Sequence, residues 1–275
     1  MAAFSFGASP QVHGGDLGDA AALGGRAPWL DLSTGINPTP YPATPSTAAL
    51  TLLPQQRALK DTLLAARSAY AVPSLAAIMA APGTQAILQW LPIVAPSRTV
   101  AILGPTYAEH ETLWRRAGAT VRIVGDLEAA AEADCVVVVN PNNPDGRLIA
   151  ADRLAAFASE RSDRRVIVDE AFCDLCPEAS VAGAPGTLVL RSFGKFFGLA
   201  GVRLGFAIGE PAVVSALTQA MGPWAVSGPA LQIGAQALAD EEWTEATRAR
   251  LRKERAALDG ILAAAGLSVI GGTDL

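Results

Sequence analysis

Cys135-Val136-Val137-Val138-Val139, running into Asn140-Pro141, is the stretch on which the fold turns. An unbroken apolar, β-branched run without polar alternation suits a strand covered on both faces, hence one inside a parallel sheet. Three more runs share this character: Thr99-Val100-Ala101-Ile102-Leu103 before Gly104-Pro105, Arg165-Val166-Ile167-Val168 before Asp169-Glu170, and Thr187-Leu188-Val189-Leu190 before Arg191-Ser192. Between them the spacing predicts helices over 109–117 and 151–160, the second with Leu154, Phe157 and Ala158 on one face. Strand and helix in alternation argue for an α/β fold with a mostly parallel sheet. Each run stops at a polar or Gly/Pro cluster, and ligands of such sheets bind beyond the carboxyl ends of the strands. After Gly222-Pro223 long helices are expected over 231–238 and 243–264, followed by a short strand at 267–270. The stretch up to Pro45 is rich in Gly and Pro and reads as an irregular arm. The expected division is therefore an arm at 1–45, a large domain at 46–225 and the start of a small domain at 226–275.

The 275 residues are 51% hydrophobic and 17% charged, which excludes intrinsic disorder. A net charge of −5 makes a general nucleic-acid or anionic-membrane binder a poor expectation, so the expected partner is a small molecule. No apolar run reaches the roughly 18 residues of a membrane span, and the first residues lack a signal-peptide pattern. Three cysteines, Cys135, Cys173 and Cys176, suit a reducing cytoplasm. The Cys173-x-x-Cys176 pair lacks the second pair or spaced histidines of a zinc site, since His13 and His110 are the only histidines; ordinary thiols are expected.

Four segments carry chemistry. Ser192-Phe193-Gly194-Lys195 places a lysine just past a buried strand, among Phe193, Phe196 and Phe197. Burial there disfavours the ammonium form and makes the amine more nucleophilic. Asp169 ends another strand, where a carboxylate could fix a proton on a heterocyclic nitrogen. Asn143, in Asn140-Pro141-Asn142-Asn143-Pro144-Asp145-Gly146, follows a third, and its amide could donate to a phenolic oxygen. Gly83-Thr84-Gln85 opens a helical stretch whose first N–H groups form a ready phosphate site, which the Ser192 hydroxyl and Arg203 could complete. Tyr107 could stack on a planar ring. Each segment alone has a plain structural reading, as a glycine-rich turn, an Asn-Pro turn or a packed aromatic.

Together these groups describe a pyridoxal phosphate site. The order Gly83-Thr84-Gln85, Tyr107, Asn143-Pro144-x-Gly146, Asp169-Glu170-Ala171-Phe172, Ser192-x-x-Lys195 and Arg203 resembles fold-type I pyridoxal phosphate enzymes of the class I/II aminotransferase group, over residues 30 to 270. The resemblance implies a large domain whose mostly parallel sheet is sandwiched by helices, plus a small α+β domain. It implies that Lys195 bonds the cofactor covalently and that Asp169 pairs with its pyridine nitrogen. Asn143 would bond the ring oxygen and Tyr107 would stack on the ring. Ser192, Arg203 and the backbone of Gly83, Thr84 and Gln85 would hold the phosphate.

Within the group, Val12-His13-Gly14-Gly15-Asp16-Leu17-Gly18 followed by Leu30-Asp31-Leu32-Ser33-Thr34-Gly35-Ile36-Asn37-Pro38 is similar to threonine-phosphate decarboxylases of cobalamin biosynthesis, relatives of histidinol-phosphate aminotransferases. Pro223-Trp224-Ala225-Val226-Ser227 also resembles the stretch where those enzymes leave the large domain. By that resemblance His13, Gly14, Gly35 and Asn143 contact substrate, and the enzyme is a cytoplasmic homodimer. Three departures stand out: Phe172 where many relatives have a donating tyrosine, Leu53-Pro54 where they carry Tyr-Pro, and Gly35 where the decarboxylases often have asparagine. The sequence ends at Asp274-Leu275, after the first expected small-domain strand, so a C-terminal truncation is expected. The expected reaction is decarboxylation of L-threonine O-3-phosphate to (R)-1-amino-2-propanol O-2-phosphate. The alternative is an aminotransferase of the histidinol-phosphate type, and the choice turns on which Cα bond overlaps the ring's π system. A non-catalytic sensor or scaffold that keeps the fold is the third class, and the presence of Lys195 argues against it.

Overall fold

The computed structural model describes Gly14, Gly15, residues 17–22 and residues 29–275. One sheet holds β1 (Ala77–Ala81), β2 (Thr99–Leu103), β3 (Thr120–Val124), β4 (Cys135–Val139), β5 (Arg165–Asp169), β6 (Thr187–Ser192) and β7 (Gly205–Gly209). Their spatial order is β1-β7-β6-β5-β4-β2-β3. Only β7 runs against its neighbours, antiparallel to both β6 and β1; the other pairings are parallel. The four runs singled out in the sequence are β2, β4, β5 and β6, and β5 and β6 extend through Asp169 and Ser192 respectively. Both polar ends are thus fixed by sheet pairing.

The helices are α1 (Leu17–Ala22), α2 (Thr47–Thr51), α3 (Gln56–Ala69), α4 (Thr84–Val94), α5 (Glu109–Arg116), α6 (Leu127–Ala130), α7 (Ala151–Ser159), α8 (Pro211–Met221), α9 (Gly228–Ala239) and α10 (Glu241–Ala264). Ser227 and Asp240 cap α9 and α10, each side chain accepting from a backbone N–H three residues on, and these caps start both helices before the sequence-expected residues. Two expectations are corrected. The N-terminal stretch is not wholly irregular, because it contains α1. Residues 267–270 form no strand: Ile270 is fully exposed, and no neighbouring strand among the described residues supplies the ladder bonds a strand requires. No helix among the described residues is long and apolar enough to cross a membrane.

Packing divides the chain into two units, residues 1–35 and 36–275, whereas the sequence division sets its first boundary ten residues later. In the first unit the Gly15 N–H donates to Ser33 Oγ (2.8 Å), and the Ser33 N–H donates to Asp31 Oδ1 (2.8 Å). In the second, strand residues alternate between two cores as the period of two requires. Val136, Val138, Val166, Val168 and Val189 face a core shared with α3, α7 and α9. Cys135, Val137, Ile167, Leu188 and Leu190 face one shared with α4, α5 and α8. Cys135, Cys173 and Cys176 are free thiols, and burial pushes Cys135 up to about 12.

The same alternation sorts the charged residues at the ends of β5 and β6. Asp169 and Ser192 fall on the α4/α5 face, and Glu170 and Arg191 on the opposite one. There Arg191 Nη1 lies 3.0 Å from Glu170 Oε2 and its Nη2 lies 2.7 Å from Asp174 Oδ1, with all three side chains buried. Glu170 also accepts from the Ser180 hydroxyl (2.7 Å) and the Val181 N–H (2.8 Å), and the guanidinium lies over the Tyr70 ring. Removing one member of such a cluster strands the others uncompensated. Arg191→Met is therefore expected to lower unfolding free energy by about 3–5 kcal/mol, read as a drop in the urea midpoint at unchanged slope. A midpoint equal to that of the unaltered chain would mean that the cluster does not hold the strands together.

Candidate active site

Every chemistry-bearing residue of the second unit lies at the carboxyl edge of the parallel strands. Register explains why two of them meet. Gly205, the first residue of β7, pairs with Ala81 at the end of β1 and with Ser192 at the end of β6. Two residues beyond Ala81 stands Gly83, and two residues before Gly205 stands Arg203. Gly83 has φ +81°, and a Cβ there would sit 2.6 Å from Arg203 Nη2. A Cβ on Gly205 would sit 2.7 Å from the Thr84 nitrogen. The two glycines thus let a guanidinium and a helix N-terminus converge, which no side-chain-bearing residue would permit. Arg203 itself takes the left-handed conformation at φ +55° and donates to the Ala200 carbonyl (3.2 Å), at a backbone cost of roughly 1–2 kcal/mol. Thr84 and Gln85 begin α4, where N–H groups have no carbonyl one turn back within the helix. With Ser192 in the adjacent register position, this is a cradle for an anion.

Lys195 lies three residues past β6, in a turn wedged among rings. Phe193 stacks on Phe197 (4.5 Å between centroids), and Phe197 stacks on Trp243 of α10 (5.6 Å). The Lys195 amine is half-buried and lies 5.6 Å from the centre of the Phe172 ring. Burial pushes its ammonium below the ordinary value; the Asp169 carboxylate opposes the drop and Arg203 adds to it. Phe172, noted in the sequence for lacking a hydroxyl, therefore adds an apolar wall beside this amine.

Asp169 is buried and held at both oxygens. Oδ1 accepts from the Ala171 N–H (3.2 Å), and Oδ2 lies 3.0 Å from His110 Nε2. His110 is buried on α5, and its Nδ1 has no partner among the described residues. Nothing in the sequence pattern assigns His110 a role; the fold alone sets it beside Asp169. Tyr107 is partly exposed, meets the His110 ring edge-on at 6.1 Å, and its hydroxyl lies 3.3 Å from Gln85 Oε1. The side chain of Gln85 donates in turn to Glu109 Oε2 (2.8 Å).

The asparagines of the loop after β4 divide their work. Asn140 is buried, exchanging bonds with Ile149 (2.9 and 2.8 Å), and Asn142 donates to the Pro105 carbonyl (2.9 Å) and Asp145 Oδ1 (2.6 Å). Asn143 is exposed. The two buried asparagines thus hold the loop, and the exposed one is left out of that scaffold. Gly14 and Gly35 belong to the first unit, and His13 lies outside the described residues.

An anion cradle, a desolvated amine and an oriented carboxylate on one sheet edge fit pyridoxal phosphate, matching its phosphate, aldehyde and pyridine nitrogen respectively. The family described as aminotransferase class I and II matches residues 53–273. A threonine-phosphate decarboxylase of Sinorhizobium sp is 47% identical over 97% of this chain and 83% of its own length. Another, from Pseudomonas aeruginosa, is 42% identical over 96% and 81%. The structure of histidinol-phosphate aminotransferase from Sinorhizobium meliloti with pyridoxal-5'-phosphate is similar in fold (TM-score 0.70, 21% identity), covering 82% of this chain and 70% of that one.

The lowered Lys195 value has a measurable consequence. Between that value and the ordinary lysine value of 10.5, the unfolded chain binds the proton more tightly than the folded one. Stability of the cofactor-free protein should therefore rise as pH rises across that window. Lys195→Met should flatten this rise in urea midpoints collected from neutral pH upward. Equal slopes in both proteins would show that the amine is not desolvated.

Proposed function

The chain belongs to the class I and II aminotransferase family, and on that premise we propose that it is a pyridoxal-phosphate-dependent decarboxylase of L-threonine O-3-phosphate, yielding (R)-1-amino-2-propanol O-2-phosphate for cobalamin biosynthesis. The observation that carries the cofactor chemistry is the desolvated Lys195 amine, acted on by the Asp169 carboxylate and by Arg203 of the anion cradle. The substrate rests on the two relatives at 47% and 42% identity.

When bound, the cofactor supplies an electron sink for the pair left on Cα as a bond there breaks. The protein's own groups do the rest. Lys195, whose charged form burial disfavours, would hold the cofactor through its amine and would be placed to give or take a proton at Cα. Asp169 would favour a proton on the cofactor's ring nitrogen, and the Ala171 N–H and His110 hold its oxygens in place. Arg203, Ser192 and the first N–H groups of α4 hold a phosphate by charge-assisted bonds. Asn143, exposed above this edge, is the candidate donor to the ring oxygen and to substrate; Tyr107 is the candidate stacking partner. His13, Gly14 and Gly35 are the proposed substrate contacts. We also assign the protein to the cytoplasm as a homodimer, with the arm at 1–45, the cofactor domain at 46–225 and a smaller domain from 226.

A histidinol-phosphate aminotransferase is the second reading, favoured by relatives of that name that are 38% and 35% identical over parts of this chain. The two differ in a co-substrate requirement. Supplied with threonine phosphate and pyridoxal phosphate alone, the protein should release CO2 in step with the phosphorylated amino alcohol. No CO2, together with conversion of histidinol phosphate that requires 2-oxoglutarate, would replace the decarboxylase with the aminotransferase.

A further inference from the structure

Asn37 precedes the cofactor domain in sequence, yet its backbone and side-chain nitrogens both bond the Lys195 turn. Its backbone N–H donates to the Lys195 carbonyl (3.0 Å), and its Nδ2 donates to the Phe196 carbonyl (2.8 Å). Its Oδ1 accepts from the Thr39 N–H (3.0 Å) and from Arg250 Nη2 on α10 (2.7 Å). One end of the amide thus faces a carbonyl and the other faces two donors, so its orientation is fixed. The residue is buried.

The turn needs such a partner. Lys195 and Phe196 lie outside β6, and their carbonyls gain no ladder bonds there; buried carbonyls without donors cost free energy. The Gly198 N–H takes up the Lys195 carbonyl from inside the turn (3.1 Å) and Asn37 takes it up from outside. Four residues on, the Tyr41 N–H repeats the pattern on the Phe197 carbonyl (2.9 Å). Close approach of the two strands of chain depends on Gly198, where a Cβ would sit 2.6 Å from the Asn37 carbonyl oxygen. The bond from Arg250 is charge-assisted and so the strongest of the set, and it ties α10 to the backbone from which the reactive amine projects.

We propose that Asn37, braced by Arg250, is a positioning residue that fixes the Lys195 amine in its desolvated setting between Asp169 and Arg203. The inference rests on Lys195 being the cofactor-bonding lysine, but its test does not require turnover. In the full chain freed of cofactor, the pH midpoint of Lys195 acetylation by acetic anhydride, read by mass spectrometry, reports how desolvated the amine is. The groups that face it are Asp169, which raises the midpoint, and Arg203, which lowers it along with burial.

Asn37→Ala should move the midpoint up toward the ordinary lysine value. Asn37→Asp keeps the acceptor for Thr39 and Arg250 but loses the donor to Phe196, and should shift it less. Arg250→Gln changes a partly exposed side chain at the outer end of the chain of bonds, and it should shift the midpoint in the same direction while the protein stays folded. If Asn37→Ala does not fold, Arg250→Gln and Asn37→Asp decide. Folded variants with the midpoint of the unaltered chain would overturn the proposal. Failure of the functional reading would show separately, as no borohydride-trapped cofactor on Lys195 of the unaltered chain.

Discussion

The buried contact of Arg191 with Glu170 and Asp174 is the constraint on which the rest of the site depends. Its members are sequence neighbours of the reactive groups: Glu170 follows Asp169, and Arg191 precedes Ser192. Successive residues of a strand point to opposite faces, so a tie on one face sets the spacing of what stands on the other. With Glu170 saturated by Arg191, Ser180 and Val181, the ends of β5 and β6 cannot slide without stranding charge in the core. The functional edge inherits that rigidity, and Asp169 and Ser192 are presented from a locked pair of strands.

Beyond the strands the chain must hold an amine in surroundings that disfavour its charge. Aromatic packing supplies the wall: Phe193, Phe197 and Trp243 stack in series, and Phe172 closes the side nearest the amine. Backbone bonding supplies the hold, through Gly198 and Asn37. Charge supplies the balance, because Asp169 and Arg203 act on Lys195 in opposite senses. Arg203 in turn reaches Gly83 through a left-handed backbone and two missing Cβ atoms. The left-handed Arg203 and the desolvated amine each cost free energy, which the packing and bonding around them offset, and together these features put amine, carboxylate and anion cradle on one rim.

Much of this was legible in the residues. The uniformly apolar runs that became β2, β4, β5 and β6 announced a sheet covered on both faces, and their polar ends marked the rim. The remaining strands were hidden for separate reasons. Ala77-Ile78-Met79-Ala80-Ala81 is made largely of good helix formers. β7 begins and ends with glycine, which weakens any strand pattern. β3, at the edge of the sheet, is short and interrupted by Arg122. Residues 267–270 looked like a strand by composition alone, and composition cannot supply a pairing partner. Among site residues, Lys195, Asp169, Gly83 and Arg203 were visible because order along the chain identified them. His110 was not, since a single histidine on an amphipathic helix carries no pattern until the fold sets it beside Asp169. Asn37 stood inside a recognised motif, but its bonds reach across 158 residues to Lys195 and 213 to Arg250, a separation that no local reading spans.

One amine decides whether this sheet edge is an active site. The sequence contains three lysines, Lys60, Lys195 and Lys253, and Lys60 and Lys253 are exposed. Incubating the protein with pyridoxal phosphate, reducing with borohydride and mapping the peptides should place the cofactor on Lys195 alone, with none trapped in Lys195→Ala. An adduct on Lys60 or Lys253, or an undiminished adduct in the variant, would contradict the assignment of this sheet edge as the active site.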